Sequence, residues 1–332
     1  MAVAISIGFI FLMLGLYSLW QDRRDRGKEI VLRPLERSER VPSFSPRTKA
    51  EVYRGDILEE LSRTTLHIMF GVMSGAGKST SMKAIIWKIH TQNPTAKFII
   101  VDPKTTDWLG LQLFERTVFY LSGDILNQLL QLKQAVAIAY DILDDRISKG
   151  QRLLELGGSL GDPEFDIYLI IDEWFALHDA LKKLPAKLKA ERGLNDILLH
   201  VNALIAKGRE HRIHVFLVAQ THLSTETGIS TAMRRSLALV GQGRLTPDGD
   251  GGYASIEGII NDSNVFKHGG TRKYLTECLQ IAIAEAGNLP VIMTTMGTPR
   301  IGLIGDLSHT HSLKITDYVS LQSRSASGIG SL

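Results

Sequence analysis

The stretch GVMSGAGKST, residues 71–80, narrows the fold more than any other part of this chain. It follows a short apolar run, LHIMF from residue 66, and opens a helix-forming segment. A glycine-rich turn between a buried strand and a helix is the setting in which Gly-x-Gly-Lys-Ser cradles phosphate. Gly75 and Gly77 let the backbone turn tightly, so that the peptide N–H groups of the Ser74–Gly75–Ala76–Gly77 turn can face phosphate oxygens. Lys78 brings a point charge to the β- and γ-phosphates, the Ser79 hydroxyl suits Mg²⁺, and Thr80 can add a phosphate contact. The outermost glycine of the full pattern falls on Val72, with Gly71 one place early. The Gly-x-Gly-Lys-Ser part, which makes most of the cradle, is intact, and the reading is ATP with Mg²⁺.

Further apolar runs follow: KFIIVD at 97, TVFYL at 117, IYLIID at 167, IHVFLVA at 213 and LALVG at 237. Helix-forming stretches separate most of them: a long helix or helix pair over 123–157, a helix over 193–210 and another over 271–286 before a late strand, VIMTTM. Strands that are apolar throughout and alternate with helices predict an α/β fold, a mostly parallel sheet covered on both faces. Residues 51–310 are read as this one domain.

The run IYLIIDEW ends in Asp172 and Glu173. A carboxylate at the end of a central strand can hold the Mg²⁺ shell through water, and Glu173 can orient or deprotonate an attacking water. A strand that ends at Gln220 puts another polar side chain at the edge where open α/β sheets bind ligands. Lys78, Asp172, Glu173 and Gln220 are therefore the expected catalytic set.

Four pieces in this order resemble the FtsK/HerA superfamily of ATP-driven DNA pumps, which includes the coupling ATPases of conjugation and type IV secretion. They are SGAGKST, the strand ending VDPK at 101–104, LIIDEW, and the glycine–arginine run leading into IHVFLVAQ. The resemblance covers about residues 65–245, more weakly to about 305. It implies a RecA-like P-loop core that assembles as a homo-oligomeric ring, a hexamer, with ATP between subunits. Too little chain follows residue 305 for the winged-helix module of the chromosome-segregation branch, and the insert between Lys104 and Asp172 is modest for a coupling protein. The resemblance also implies an arginine reaching each site from the neighbouring subunit. Arg209, Arg234, Arg235 and Arg244 are the candidates, with Arg234 and Arg235 ranked first.

The segment LKKLPAKLKAER, residues 181–192, carries Lys182, Lys183, Lys187, Lys189 and Arg192 against Glu191 alone. Such a patch suits sequence-independent phosphate contacts, and its lack of aromatic side chains favours double-stranded DNA over stacked single strands. Glu210, His211 and His214 do not form a metal site, because the two histidines fall on opposite faces of a strand. One cysteine, Cys278, excludes an intrachain disulfide framework, and the net charge of +3 speaks only weakly to partners.

Residues 2–20, AVAISIGFIFLMLGLYSLW, carry no charge and span roughly 28 Å as a helix. Tyr17 and Trp20 end the run, and Arg23, Arg24, Arg26 and Lys28 follow it. These features predict a single-pass anchor in the cell (inner) membrane with the C-terminal side cytoplasmic. Residues 21–50, with Pro34, Pro42 and Pro46, read as a linker, and the Ser/Gly-rich 311–332 as a flexible tail. The expected function is a membrane-anchored motor that moves DNA in conjugative or plasmid-linked transfer, with secretion-channel proteins as further partners. The alternatives are a secretion or pilus ATPase acting on protein and a nucleotide-gated membrane scaffold without turnover.

Overall fold

The computed structural model describes residues 49–72, 75–104, 116–156, 163, 165–245, 252–305 and 307. The expected anchor at 2–20, nearly all of the linker, the tail at 311–332 and Ser74 lie outside these residues. Among the described residues no helix is long and apolar enough to cross a membrane.

The chain runs α1 (Ile57–Ser62), β1 (His67–Val72), α2 (Lys78–Gln92), β2 (Lys97–Asp102), β3 (Arg116–Tyr120), α3 (Ile125–Glu155) and β4 (Ile167–Ile171). It continues through α4 (Trp174–Lys183), α5 (Ala186–Glu191), α6 (Asp196–Lys207), β5 (Ile213–Ala219), α7 (Ser224–Thr227), α8 (Thr231–Arg234) and β6 (Leu237–Gly243). It closes with α9 (Ala254–Asn261), α10 (Gly269–Ala286), β7 (Val291–Thr294) and β8 (Arg300–Leu303). Among the described residues the strands form one eight-stranded sheet in the order β3-β2-β4-β5-β1-β6-β7-β8. The first six in that order pair in parallel, and β7 and β8 add an antiparallel edge. The expected α/β fold with a mostly parallel sheet is what forms.

Alternate side chains of a strand face opposite sides of its sheet, and here both sides are apolar. Ile68, Phe70 and Val72 of β1 pack with Met82, Ile85 and Ile89 of α2. Met69 points the other way, into a larger core with Leu169 and Leu217 that α3, α4, α6, α9 and α10 cover. This two-sided burial explains why the strands read as continuous apolar runs.

The segment read as one helix or two is a single helix of 31 residues, α3. Leu129, Leu132, Val136, Ala139 and Leu143 repeat every three or four places and make its buried stripe. Asp124 caps its start by accepting the Asn127 N–H at 2.9 Å. The predicted helix at 193–210 stops earlier: α6 ends at Lys207, a 3₁₀ turn follows, and Arg212 turns the chain at φ 54° into β5. β6 runs two residues past the LALVG stretch and so takes in Gln242. The short α9 and β8 did not stand out in the sequence, since eight and four residues carry little periodicity.

Candidate nucleotide site

Because six strands are parallel, their C-terminal ends share one edge of the sheet, where ligands of open α/β folds bind. In the observed order β5 separates β1 from β4. The loop after β1, the acids after β4 and the glutamine after β5 thus converge although they lie far apart in sequence.

After β1, Gly75 and Gly77 adopt φ 81° and 85°, values that only glycine takes without strain. Gly77 leads into α2, whose first residue is Lys78 and whose first turn contains no acidic side chain. A helix start presents its first N–H groups and the positive end of the helix dipole to an anion. A Cβ placed on Gly75 would meet no atom within 4 Å, so the loop is open at that point. Ser79 and Thr80 are half-buried in the same turn.

β4 delivers Asp172, fully buried, and the chain then turns through Glu173 at φ 49° to start α4. A non-glycine residue in this region is strained by roughly 1–3 kcal/mol. Two interactions hold it there. The Asp172 carboxylate accepts the Glu173 N–H at 2.8 Å, and the Glu173 carboxylate is clasped by two ammonium groups, those of Lys78 and, at 2.7 Å, Lys104. Lys78 also lies 3.9 Å from Asp172. Burial alone would raise the Glu173 pKa, but the hydrogen bonds from Lys104 and Lys78 outweigh it and hold the carboxyl below its ordinary value. Gln220, just past β5, donates to the other Glu173 oxygen at 3.4 Å.

The structure therefore brings together Lys78, Asp172, Glu173 and Gln220, with Gly75, Ala76, Gly77, Ser79 and Thr80 beside them. Three residues were missed as site members. Lys104 belongs to the quoted VDPK element, and its N–H donates to Asp102 at 3.0 Å, which turns the chain toward Glu173. Trp174, fully buried, donates from Nε1 to the Thr227 carbonyl at 2.8 Å, and so ties the start of α4 to the segment after Gln220. The third is Gln242, which reaches the phosphate loop from β6. Its only sequence signal is a polar side chain on an otherwise apolar strand face.

These residues fit a nucleoside triphosphate with Mg²⁺. The open glycine loop and helix start suit phosphate oxygens, and Lys78 supplies the cation beside them. Among the described residues no group of three or more His, Cys, Asp or Glu could hold a metal by itself. Ser79 would hold Mg²⁺ with its hydroxyl and Asp172 would act on it through water, which leaves the rest of the shell to phosphate and water. When bound, the nucleotide with Mg²⁺ supplies a phosphoryl group activated for attack by water.

The other sequence candidates lie apart from this cluster. Arg234 is buried and bound within its own chain, to Asp262 at 3.1 Å and to the His222 carbonyl at 3.2 Å. Its guanidinium is turned inward, whereas Arg235 is exposed. The basic segment is split by Pro185 between α4 and α5 rather than forming one helix face. Lys182 donates to the Thr225 carbonyl at 3.5 Å, Lys183 pairs with Asp179 at 2.6 Å, and Lys187 lies 3.9 Å from Glu191. Lys189 is partly covered. His214 serves the opposite edge of the sheet, bonded to Thr65 and Asp166.

No family model matches the chain, and no curated protein matches it in sequence. Several solved structures are similar. One is the pCW3 conjugation coupling protein TcpA, in its monomer form with ATPγS, at 15% identity and a TM-score of 0.48, over 72% of this chain and 60% of that one. ATPases 2 and 3 of Thermomonospora curvata EccC, in complex with a signal sequence peptide, match at 20% identity and a TM-score of 0.40, over 55% of this chain and 32% of that one. ATPases 2 and 3 of Geobacillus thermodenitrificans EssC match at 18% and 0.39, over 53% and 32%. These neighbours are P-loop ATPases of the FtsK/HerA type, and this chain spans less than two thirds of the length of each. The residues of the site, rather than these likenesses, support the reading that follows.

Proposed function

We propose that the chain is an ATP-hydrolysing motor that moves double-stranded DNA in conjugative or plasmid-linked transfer. In this reading residues 2–20 anchor it in the cell membrane and its ATPase body works in the cytoplasm as a hexameric ring. The observation that carries the ATPase part is the meeting of Lys78, Asp172, Glu173 and Gln220 at one sheet edge beside an open glycine loop. Lys78 would turn from Glu173 to the phosphates, Ser79 and, through water, Asp172 would hold Mg²⁺, and Gln220 and Glu173 would orient the attacking water. With Lys78 withdrawn, Glu173 keeps Lys104 as its counter-charge and gains proton affinity, which suits a group that receives a proton. Most of the rate enhancement comes from positioning and charge rather than from covalent chemistry.

The DNA part rests on Lys182, Lys183, Lys187 and Lys189 around Pro185, side chains suited to phosphate contacts without base reading. The ring completes each site with a neighbour's arginine. Arg235, exposed beside the inward-turned Arg234, is the residue of that pair suited to it. One observation favours a second reading, a secretion motor acting on protein cargo: Lys183 and Lys187 each face an acid one helical turn away, which reduces the positive field of the patch.

The test is ATP turnover by the full-length chain, with and without double-stranded DNA, over a salt series, with Lys78→Ala as the blank. Turnover that rises with DNA and loses that rise with salt is the expected result. Turnover indifferent to DNA would replace the DNA motor by the protein-cargo motor. Nucleotide binding without turnover in either condition would leave a nucleotide-gated scaffold.

A further inference from the structure

Gln242 stands beside Val72, the last residue of β1, in the parallel β1–β6 pair. It is fully buried, on the sheet face where Ala238 and Val240 join the α2 core. An amide on such a face is unfavourable unless its polar atoms are paired. Nε2 donates to the carbonyl oxygen of Ala76 inside the glycine loop, and among the described residues Oε1 has no hydrogen-bond partner. The Gln242 backbone carbonyl in turn accepts from Ser255 Oγ of α9 at 2.8 Å. A fully apolar residue would avoid the orphaned acceptor and complete the core, so the single bond to Ala76 is what the glutamine contributes.

That bond acts on the orientation of one peptide. In a trans peptide the carbonyl and the following N–H point in opposite directions. Anchoring the Ala76 carbonyl on β6 therefore turns the Gly77 N–H away from Gln242. Gly77 also leaves room for the contact, because a Cβ there would sit 3.2 Å from Gln242 Nε2.

We propose that Gln242 is a positioning residue for nucleotide binding: it holds the Ala76–Gly77 peptide so that the loop's N–H groups are aimed at phosphate before the nucleotide arrives. The inference rests on the nucleotide-binding reading of the site. It assigns no contact between Gln242 and the nucleotide.

The test compares the full-length chain with its Gln242→Met and Gln242→Glu variants. Methionine keeps the length and removes the donor, while glutamate keeps the shape and puts an acceptor against the Ala76 carbonyl. ATPγS binding, the KM and kcat for ATP, and the unfolding midpoint without nucleotide are measured for each, with Lys78→Ala as control. The expected result for Gln242→Met is at least a tenfold loss of ATPγS affinity, felt more in KM than in kcat. Its nucleotide-free midpoint should stay near the parent's, because the orphaned Oε1 is gone while the Ala76 carbonyl loses its donor. Gln242→Glu should lose at least as much affinity. A Gln242→Met chain that binds ATPγS within twofold of the parent while Lys78→Ala loses binding would overturn the inference alone. So would a Gln242→Glu chain that binds like the parent, which serves as the deciding variant should the methionine chain not fold. If the parent and Lys78→Ala bind ATPγS equally poorly, the nucleotide reading falls and takes this inference with it.

Discussion

The two ends of the parallel strands each gather buried charge around a carboxylate, and each contains a non-glycine residue at positive φ, Glu173 at one end and Arg212 at the other. The partners differ. At the N-terminal end Asp166 takes a two-point contact from Arg212, at 3.0 and 2.7 Å, and further bonds from His214 at 3.1 Å and Asn93 at 2.6 Å. Arg212 also donates to the Pro163 carbonyl at 2.7 Å, and Arg146 to that of Phe165 at 2.9 Å. These are planar, multi-point donors. At the C-terminal end Glu173 is held by two lysines, whose ammonium groups are point charges on flexible stems. A fork fixes geometry, whereas a point charge on a long stem can change partners. The first cluster locks the sheet's lower edge; the second can exchange its contacts for phosphate.

The sharpest way to break this comparison is to substitute each end and read both stability and turnover. Glu173→Gln should lower ATP turnover by about 10²–10³-fold and leave ATPγS binding intact, with the unfolding midpoint little changed. Steady-state hydrolysis and calorimetric titration check it, and unchanged turnover would remove Glu173 from its role.

The converse substitution, Asp166→Asn, should destabilise the protein by about 2–3 kcal/mol, below most of the range for a broken fully buried pair because Arg212 is 36% exposed. The KM for ATP should stay near the parent's. Burial tends to raise the Asp166 pKa, yet the bonds from His214 and Arg212 prevail and hold it well below the usual carboxylate range. A carboxylate depressed on folding contributes stability above its unfolded value of about 3.9 and loses it as the pH falls below that toward the folded value. Acid unfolding of the parent should therefore steepen below about pH 4, and Asp166→Asn should remove that part of the curve. The smallest effect is expected for Gln220→Ala, about tenfold in turnover, equivalent to about 1.4 kcal/mol, because its bond to Glu173 is long at 3.4 Å. A loss as large as that of Glu173→Gln would make Gln220 an equal partner in the chemistry.

How much of this was legible depends on the distance over which each feature is encoded. Gly75, Gly77, Lys78 and Ser79 act through spacing within a few residues, and the apolar runs at 97, 167 and 213 announce buried strands by composition. Asp172, Glu173 and Gln220 could be put at strand ends for the same reason. Arg234 and Arg235, adjacent and alike in sequence, could not be told apart, since only the packing of α8 against Asp262 turns one inward. Glu191 was already set against the basic segment in the sequence, but Asp179 lies before that segment, and its pairing with Lys183 emerges only with the helix that carries both.

The sequence by itself determined the alternation of strands and helices, the glycine loop before Lys78 and the placing of Asp172, Glu173 and Gln220 at strand ends, because these depend on local geometry and burial along the chain. Only the tertiary structure decided which of them meet. The order β2-β4-β5-β1-β6 seats Gln220 between the loop and Glu173, brings Lys104 across to the same carboxylate and sets Gln242 under the Ala76 carbonyl. Strand order is a property of long-range packing, in which two covered faces must close at once, and no window of neighbouring residues contains it.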